Sequence, residues 1–144
     1  MLPKPRQNTN GTVGSGCLGC PFAGDMKGWV PDLLNDQAEV FVLGQNPGAD
    51  EEQGRRVTGY EGKHPIYESC TPQPFIGVTG YDMDHNYLPK AGLSRDQVSL
   101  GNAIRCRWRK SNELPILKSV LFRDALNHCQ AAHFKLPAKT RVIV

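Results

Sequence analysis

Four of the five cysteines have a spacing that suits a metal site. Cys17 and Cys20 form a C-x2-C pair, and Cys106 and Cys129 follow much later in the chain. Four thiolates are enough for a structural zinc ion or for a 4Fe-4S cluster, and the spacing alone leaves both open. An odd number of cysteines suits a disulfide framework poorly, so we expect reduced thiols that act as ligands. Cys70, in a polar stretch, is expected to be a free thiol or a small buried residue.

A second candidate site is the pentapeptide GQNPG at residues 44–48. It follows the apolar run AEVFVL at 38–43, which predicts a buried parallel strand. In α/β folds the active crevice forms at the carboxyl ends of such strands, so Gln45 and Asn46 are candidates for polar chemistry. Gly, Asn and Pro are also common turn formers, and the pentapeptide by itself favours a plain turn between a strand and a helix.

Further strands and a helix are predicted around these residues. Residues 97–104 predict a second strand, and the last four residues, RVIV, predict another buried strand. Pro115 suits the first turn of a helix. One face of that helix repeats every four residues and should pack on the sheet, at Leu117, Leu121, Ala125 and Cys129.

The segments between these elements are rich in Gly and Pro. Residues 1–16 predict a flexible N-terminal arm in front of a folded domain at 17–144. Residues 44–79 have too few apolar positions for a pair of strands and predict a long functional loop.

Residues 81–93 have weak helical character, with Pro89 expected to interrupt the helix and Gly92 expected to end it. The alternation of strand, loop and helix along the chain predicts an α/β fold with a parallel sheet covered by helices.

The composition, with 39% hydrophobic and 22% charged residues, is typical of a single globular domain. The net charge of +3 is compatible with an anionic partner such as nucleic acid, but does not require one. No apolar run approaches the roughly 18 to 20 residues of a membrane span, and the first residues lack the apolar core of a signal peptide. We therefore expect a cytoplasmic protein without membrane contact.

Five short segments form an ordered set along the chain: CLGCPF, VLGQNPGADEEQG, PFIGVTG, AGLSR and NAIRCR. In order and approximate spacing they resemble the iron-sulfur (family four) uracil-DNA glycosylases, over roughly residues 17–144. The resemblance implies a three-layer α/β/α fold with a short parallel sheet. It also implies a 4Fe-4S cluster, rather than zinc, with four ligands: Cys17, Cys20, Cys106 and Cys129.

The same resemblance assigns roles around the pentapeptide. It makes residues 44–48, including Gly44, the motif that positions a water molecule. It makes Phe75 the ring that stacks on the extruded base, which offsets part of the lost stacking in the helix. It makes Asn102 the reader of uracil, because an amide matches the acceptor O4 and the donor N3–H.

The loop departs from the family, which usually has Glu and then a small residue where Gln45 and Asn46 stand. Asn46 aligns with the water-binding Asn of the mismatch-specific glycosylases, and Gln45 with the Gln of other uracil enzymes. Asn is no strong base, so we expect it to orient water and to give weaker base assistance than a carboxylate. Gly48 stands where those other enzymes have a Tyr that excludes thymine, which puts discrimination against 5-substituted pyrimidines in doubt.

Two larger departures concern whole segments. Residues 54–74 form an insertion of about twenty residues relative to the family. The family also continues past the RVIV strand to a His-Pro-Ser segment, which nothing in the 144 residues matches. We therefore expect the chain to contain about the first two thirds of the family fold and to be a slow or inactive enzyme by itself. A partner chain or further C-terminal sequence would then cover the last strand.

A basic segment follows the proposed uracil reader directly, at Arg105, Arg107, Arg109 and Lys110. Charge runs are usually solvated faces, but beside a base pocket they favour contacts to DNA phosphates.

The leading hypothesis is a uracil-DNA glycosylase of base excision repair, acting on uracil flipped from single- or double-stranded DNA. The first alternative is a non-catalytic module that binds DNA or a partner protein and retains the fold and cluster. The second is a zinc-stabilised α/β domain of unrelated function.

Overall fold

The computed structural model of the chain describes residues 6–7, 13–14, 29–107 and 120–144. The strands, in chain order, are β1 (Arg6–Gln7), β2 (Val13–Gly14), β3 (Val40–Gly44), β4 (Arg55–Glu61), β5 (His64–Ser69), β6 (Ser99–Asn102) and β7 (Val142–Ile143). The helices are α1 (Ala49–Gln53), α2 (Val78–Asp82), a π-helical segment (Met83–Tyr87), α3 (Leu88–Lys90), a 3-10 turn (Arg95–Gln97) and α4 (Val120–His133). Within the predicted N-terminal arm, β1 pairs antiparallel with β2.

A parallel sheet of three strands forms the centre, in the order β6-β3-β7. The two strands predicted at 38–43 and 97–104 are confirmed as β3 and β6, and β6 is shorter than predicted. The register pairs Gly44 with Asn102, so both strands end at the same edge of the sheet. The loop at 44–48 therefore leaves the sheet beside Asn102.

Helical segments cover both faces of the sheet, as the three-layer prediction requires. Val42 of β3 and Leu100 of β6 share one face and pack against Leu88 and Met83 of the helical stretch. Phe41 points to the other face, where its ring lies 5.7 Å from that of Phe134, just after α4. Because successive side chains of a strand alternate between faces, each strand supplies both cores.

The outer edge of β6 is covered by an extended segment at residues 29–33. Leu33 and Leu100 exchange backbone hydrogen bonds of 2.8 and 2.9 Å, and Val30 N–H donates to the carbonyl of Arg105 at 2.7 Å. These bonds satisfy groups that an open strand edge would leave unpaired.

The predicted loop at 44–79 is wrong over residues 55–69, which form a β-hairpin. β4 and β5 pair antiparallel through a turn at Gly62, whose φ is 62°. A two-stranded hairpin needs packing to be stable, which Val57 supplies as the buried residue of β4. The opposite face of the hairpin is open to solvent, and the apolar positions are accordingly few.

Pro89 does not interrupt the helix at 78–90. The chain widens to a π-helix just before it, and Leu88 N–H donates to the carbonyl of Met83, five residues back. We attribute the tolerance to this widening, because in a regular helix the proline ring crowds the preceding turn. Gly92, with a φ of 71°, ends the stretch as predicted.

The helix predicted after Pro115 is described from Val120 to His133, while Pro115 and Leu117 lie outside the described residues. Ala125 and Cys129 are buried on its sheet-facing side, as predicted. The RVIV segment does form a parallel strand, but its predicted burial is wrong, since Val142 and Ile143 are 47% and 50% exposed. In the described part of the chain, no helix is long and apolar enough to cross a bilayer.

Candidate active site

A cavity of about 480 Å³ opens at the carboxyl ends of β3 and β6. Its volume lies within the range of small-molecule sites. Its walls come from the loop after β3, the start of α1, the segment around residue 75 and the end of β6. The lining residues are Gly44, Gln45, Asn46, Pro47, Gly48, Ala49, Asp50, Glu51, Phe75, Gly77, Val78, Thr79 and Asn102.

The predicted base-binding residues meet at Gly44. A Cβ atom placed on Gly44 would collide with Oδ1 of Asn102 and would lie 2.8 Å from Cζ of Phe75. Asn102 is 4% exposed, and Phe75 is half-buried. An amide and an aromatic ring thus converge on the bare backbone of position 44, and both line the cavity.

The loop after β3 is tied down by the first turn of α1. Glu51 accepts a hydrogen bond from Gly48 N–H at 3.0 Å and another from Gly77 N–H at 3.4 Å. Asn46 donates through Nδ2 to the carbonyl of Pro47 at 3.3 Å. Asp50 accepts a bond of 2.7 Å from Arg55 of β4. One wall of the cavity therefore carries two carboxylates.

The backbone of Phe75 is in the left-handed region, with a φ of 54°. Arg95 reaches it from the 3-10 turn, donating to the carbonyl of Phe75 at 2.7 Å and to that of Pro74 at 2.5 Å. Asp84 accepts from the same guanidinium at 3.3 and 3.4 Å. Burial lowers the pKa of Arg95, and the Asp84 carboxylate opposes that shift.

Cys106 and Cys129 are both buried, at 6% and 7% exposure. Cys106 packs in one cluster with Ala125, which lies one helical turn before Cys129. The guanidinium of Arg105 lies 3.8 Å from Sγ of Cys129. Cys17 and Cys20 fall outside the described residues. Among the residues that the structure does describe, no group of three or more candidate ligands is gathered for a metal ion.

The basic segment divides into residues with different surroundings. Arg105 is 1% exposed and forms a buried ion pair with Asp32, which does not fit its predicted contact with phosphate. Burial raises the pKa of Asp32 above 3.8, although the Arg105 guanidinium opposes the shift. Arg107 is partly exposed and pairs with Glu52 at 3.1 Å. Arg109 and Lys110 lie outside the described residues.

A sequence model of the uracil DNA glycosylase superfamily matches residues 31–140. The chain belongs to this superfamily.

Two curated relatives are similar to this superfamily member over 91 residues, which is 63% of the chain. One is the type-4 uracil-DNA glycosylase of Saccharolobus solfataricus, which is 31% identical over 34% of its own length. The other is the type-4 uracil-DNA glycosylase of Archaeoglobus fulgidus, which is 26% identical over 37% of its own length. The matched region therefore spans about a third of each relative.

Within this superfamily fold, the cavity gathers the residues predicted for base binding and water positioning: Gly44, Gln45, Asn46, Phe75 and Asn102. Sequence reasoning missed Arg95 and the carboxylates of Asp50 and Glu51. A Glu three residues after Gly48 is the pattern of a capping box, which could have drawn attention to Glu51. Arg95 is the last residue of the AGLSR segment, but that segment does not indicate its contacts, because they reach residues 20 and 21 positions away.

Proposed function

We propose that this domain is a uracil-DNA glycosylase and that its cavity holds a uracil flipped out of DNA. The observation that carries the proposal is the convergence of Phe75 and Asn102 on the bare backbone of Gly44. A flipped base needs an aromatic face to replace lost stacking and a polar edge reader. Phe75 supplies the ring, and the amide of Asn102 supplies a donor for O4 and an acceptor for N3–H.

The hydrolytic step requires a water molecule held against the sugar as the N-glycosidic bond breaks. Asn46 uses Nδ2 on the Pro47 carbonyl, so Oδ1 is the acceptor with which it would orient that water, beside Gln45. The sugar becomes cationic as uracil departs with the bonding electrons, and the negative charge of Glu51 along the cavity favours that cation, since the Asp50 carboxylate is paired with Arg55. The water then bonds to the sugar carbon and releases its proton to solvent, while uracil leaves as the anion. Positioning with electrostatic support thus replaces a strong base in this proposal.

We also propose that Cys17, Cys20, Cys106 and Cys129 hold a 4Fe-4S cluster, with zinc as the alternative. The two ligands that the structure describes, Cys106 and Cys129, are suited to hold a cluster. Both thiols are buried, and the guanidinium of Arg105 near Cys129 favours the thiolate form. The cluster would link the CxxC segment at residues 17–20 to the segment that follows β6 and to α4. Contacts to DNA phosphates are proposed for Arg107, Arg109 and Lys110.

The test is incubation of the purified protein with oligonucleotides that contain one uracil, followed by detection of abasic sites. We expect slow cleavage by the wild type, since no His-Pro-Ser segment is present in these 144 residues, and a large further loss in Asn46→Ala and Asn102→Ala. Asn86→Ala is the matched control, because Asn86 is exposed and bonds to Asp82 on the helical stretch. Absence of wild-type cleavage on both single and double strands would overturn the enzymatic proposal and favour a binding module.

A further inference from the structure

Phe75 has a backbone conformation that its side chain disfavours. A φ of 54° is uncommon for any residue other than glycine, and for a bulky aromatic residue it is an outlier. Such conformations persist only where the surroundings determine them, and they concentrate at functional sites. The described surroundings of Phe75 therefore need to supply that constraint.

One part of the constraint is steric. A Cβ atom on Gly80 of α2 would collide with the carbonyl group of Phe75 and would lie 3.0 Å from its Cα. Only a glycine at position 80 lets the Phe75 carbonyl approach the helix so closely. This contact permits the conformation, but it does not pull the peptide into place.

The attractive part comes from Arg95. Its Nη1 donates to the Phe75 carbonyl at 2.7 Å, and its Nη2 donates to the Pro74 carbonyl at 2.5 Å. The carbonyl carbon of Pro74 helps to define φ of Phe75, and the carbonyl of Phe75 reports its ψ. A planar guanidinium that holds both oxygens therefore restrains the two backbone torsions of Phe75, which set the direction in which its side chain leaves the backbone.

Arg95 is itself held from the helical stretch. Asp84 lies 3.3 Å away, and the Arg95 side chain is 16% exposed. Arg56 of the hairpin approaches the same carboxylate at 3.9 Å and donates to Gln73 at 3.1 Å, but neither contact involves Phe75. Arg56 is therefore the matched control, since it contacts the same Asp84 carboxylate but forms no hydrogen bond to the carbonyl of Phe75 or Pro74.

We propose that Arg95 is a positioning residue that sets Phe75 to stack on the extruded base. The proposal rests on the proposed uracil site and extends it to a residue outside the cavity lining. Arg95 touches neither the base nor the reacting atoms. Replacing Arg95 should therefore affect only the steps in which a base stacks on the Phe75 ring.

The test compares Arg95→Met and Arg95→Lys with Arg56→Met in the full chain. Binding is measured on two single-stranded oligonucleotides, one with uracil in a non-hydrolysable nucleotide and one with an abasic site. We expect Arg95→Met to bind the uracil strand about tenfold more weakly and the abasic strand unchanged, since stacking on one aromatic ring contributes on that order. Arg95→Lys, which retains the charge on a single donor nitrogen, should fall between Arg95→Met and the wild type.

Two results would overturn the proposal. Equal weakening on both strands would indicate a general structural role for Arg95. An effect in Arg95→Met no larger than that in Arg56→Met would remove any special link to Phe75.

A second measurement keeps the inference separate from the proposed activity. With 4-fluorophenylalanine at position 75, ¹⁹F NMR should give one narrow resonance in the wild type and in Arg56→Met. The resonance should be shifted and broadened in Arg95→Met and less so in Arg95→Lys. This outcome supports the positioning role even if the wild type binds no uracil DNA, in which case the proposed function alone fails. An unchanged resonance in Arg95→Met refutes the positioning role.

Discussion

Gly44 and Asn102 lie opposite each other on β3 and β6, and Oδ1 of Asn102 occupies the space that a side chain at position 44 would need. The parallel register creates this contact, because it ends both strands at the same level. The ring of Phe75, from a different part of the chain, also lies against position 44. The floor of the cavity can therefore form only because position 44 is a glycine, which lacks the Cβ atom of every other residue.

Replacement of Gly44 by alanine should displace Asn102 and the Phe75 ring together. We expect about a 100-fold loss of uracil cleavage, the scale of loss that a displacement of about 1 Å produces. The free energy of unfolding should fall by about 1–3 kcal/mol, as in other overpacked sites. Cleavage kinetics and urea denaturation measure the two effects.

Gly59→Ala is the matched control for this variant. No atom lies within 4 Å of a Cβ placed on Gly59, and its φ is not in the left-handed region. We expect its stability to change by no more than about 0.5 kcal/mol and its cleavage rate to match the wild type. If Gly44→Ala retained the wild-type rate, the assignment of the cavity floor would be wrong.

The sheet and the residues at its carboxyl edge could be predicted from the sequence, because burial between two helical layers produces continuous apolar runs. AEVFVL carries this pattern, whereas VSLG before Asn102 alternates apolar with small residues, and the ordered motifs then placed Phe75 and Asn102 in one site. The α4 face was predicted for the same reason, since Ala125 and Cys129 recur at the helical period.

The elements that were missed depend on contacts between distant residues. The hairpin at 55–69 has one buried side chain, Val57, so its apolar pattern is too sparse to indicate strands. Pro89 was expected to break a helix, and only the π-helical segment before it explains why it does not. Arg105 looked like a surface cation because its partner Asp32 lies 73 residues away.

The cysteine ligands predict a visible absorption spectrum. Anaerobically purified wild type should be brown, with broad absorption near roughly 400 nm, if a 4Fe-4S cluster is bound. Cys129→Ser should lose most of this absorption, because it removes one of the four proposed thiolates. Cys70→Ser should retain it, since Cys70 lies at the end of the hairpin, where its N–H donates to the Gly54 carbonyl. A colourless protein that contains zinc would exclude the iron-sulfur assignment.

The buried pair of Arg105 and Asp32 should contribute to stability rather than to DNA binding. Arg105→Met leaves the Asp32 carboxylate buried without its partner, and we expect a loss of about 3–5 kcal/mol in the free energy of unfolding. Arg141→Met is the control, because Arg141 forms an exposed pair with Glu39 at 3.6 Å. Exposed pairs contribute about 0–1 kcal/mol, so this variant should unfold close to the wild type. Equal midpoints of urea denaturation for the two variants would contradict the structural role of Arg105.

Arg107, in contrast, should contribute to the affinity for DNA. It directly follows Cys106, on the segment that leads away from Asn102 at the edge of the cavity. Its side chain is partly exposed and forms an ion pair with Glu52. Binding of a uracil strand should become weaker as salt is raised, with a slope of about 0.7 per phosphate contact on a logarithmic plot for single strands. Arg107→Gln should lower the slope by about that amount. Arg141→Gln should leave it unchanged, because Arg141 precedes β7 at the opposite edge of the parallel sheet from the cavity. If Arg107→Gln weakened binding with no change in slope, its contribution would not be a phosphate contact.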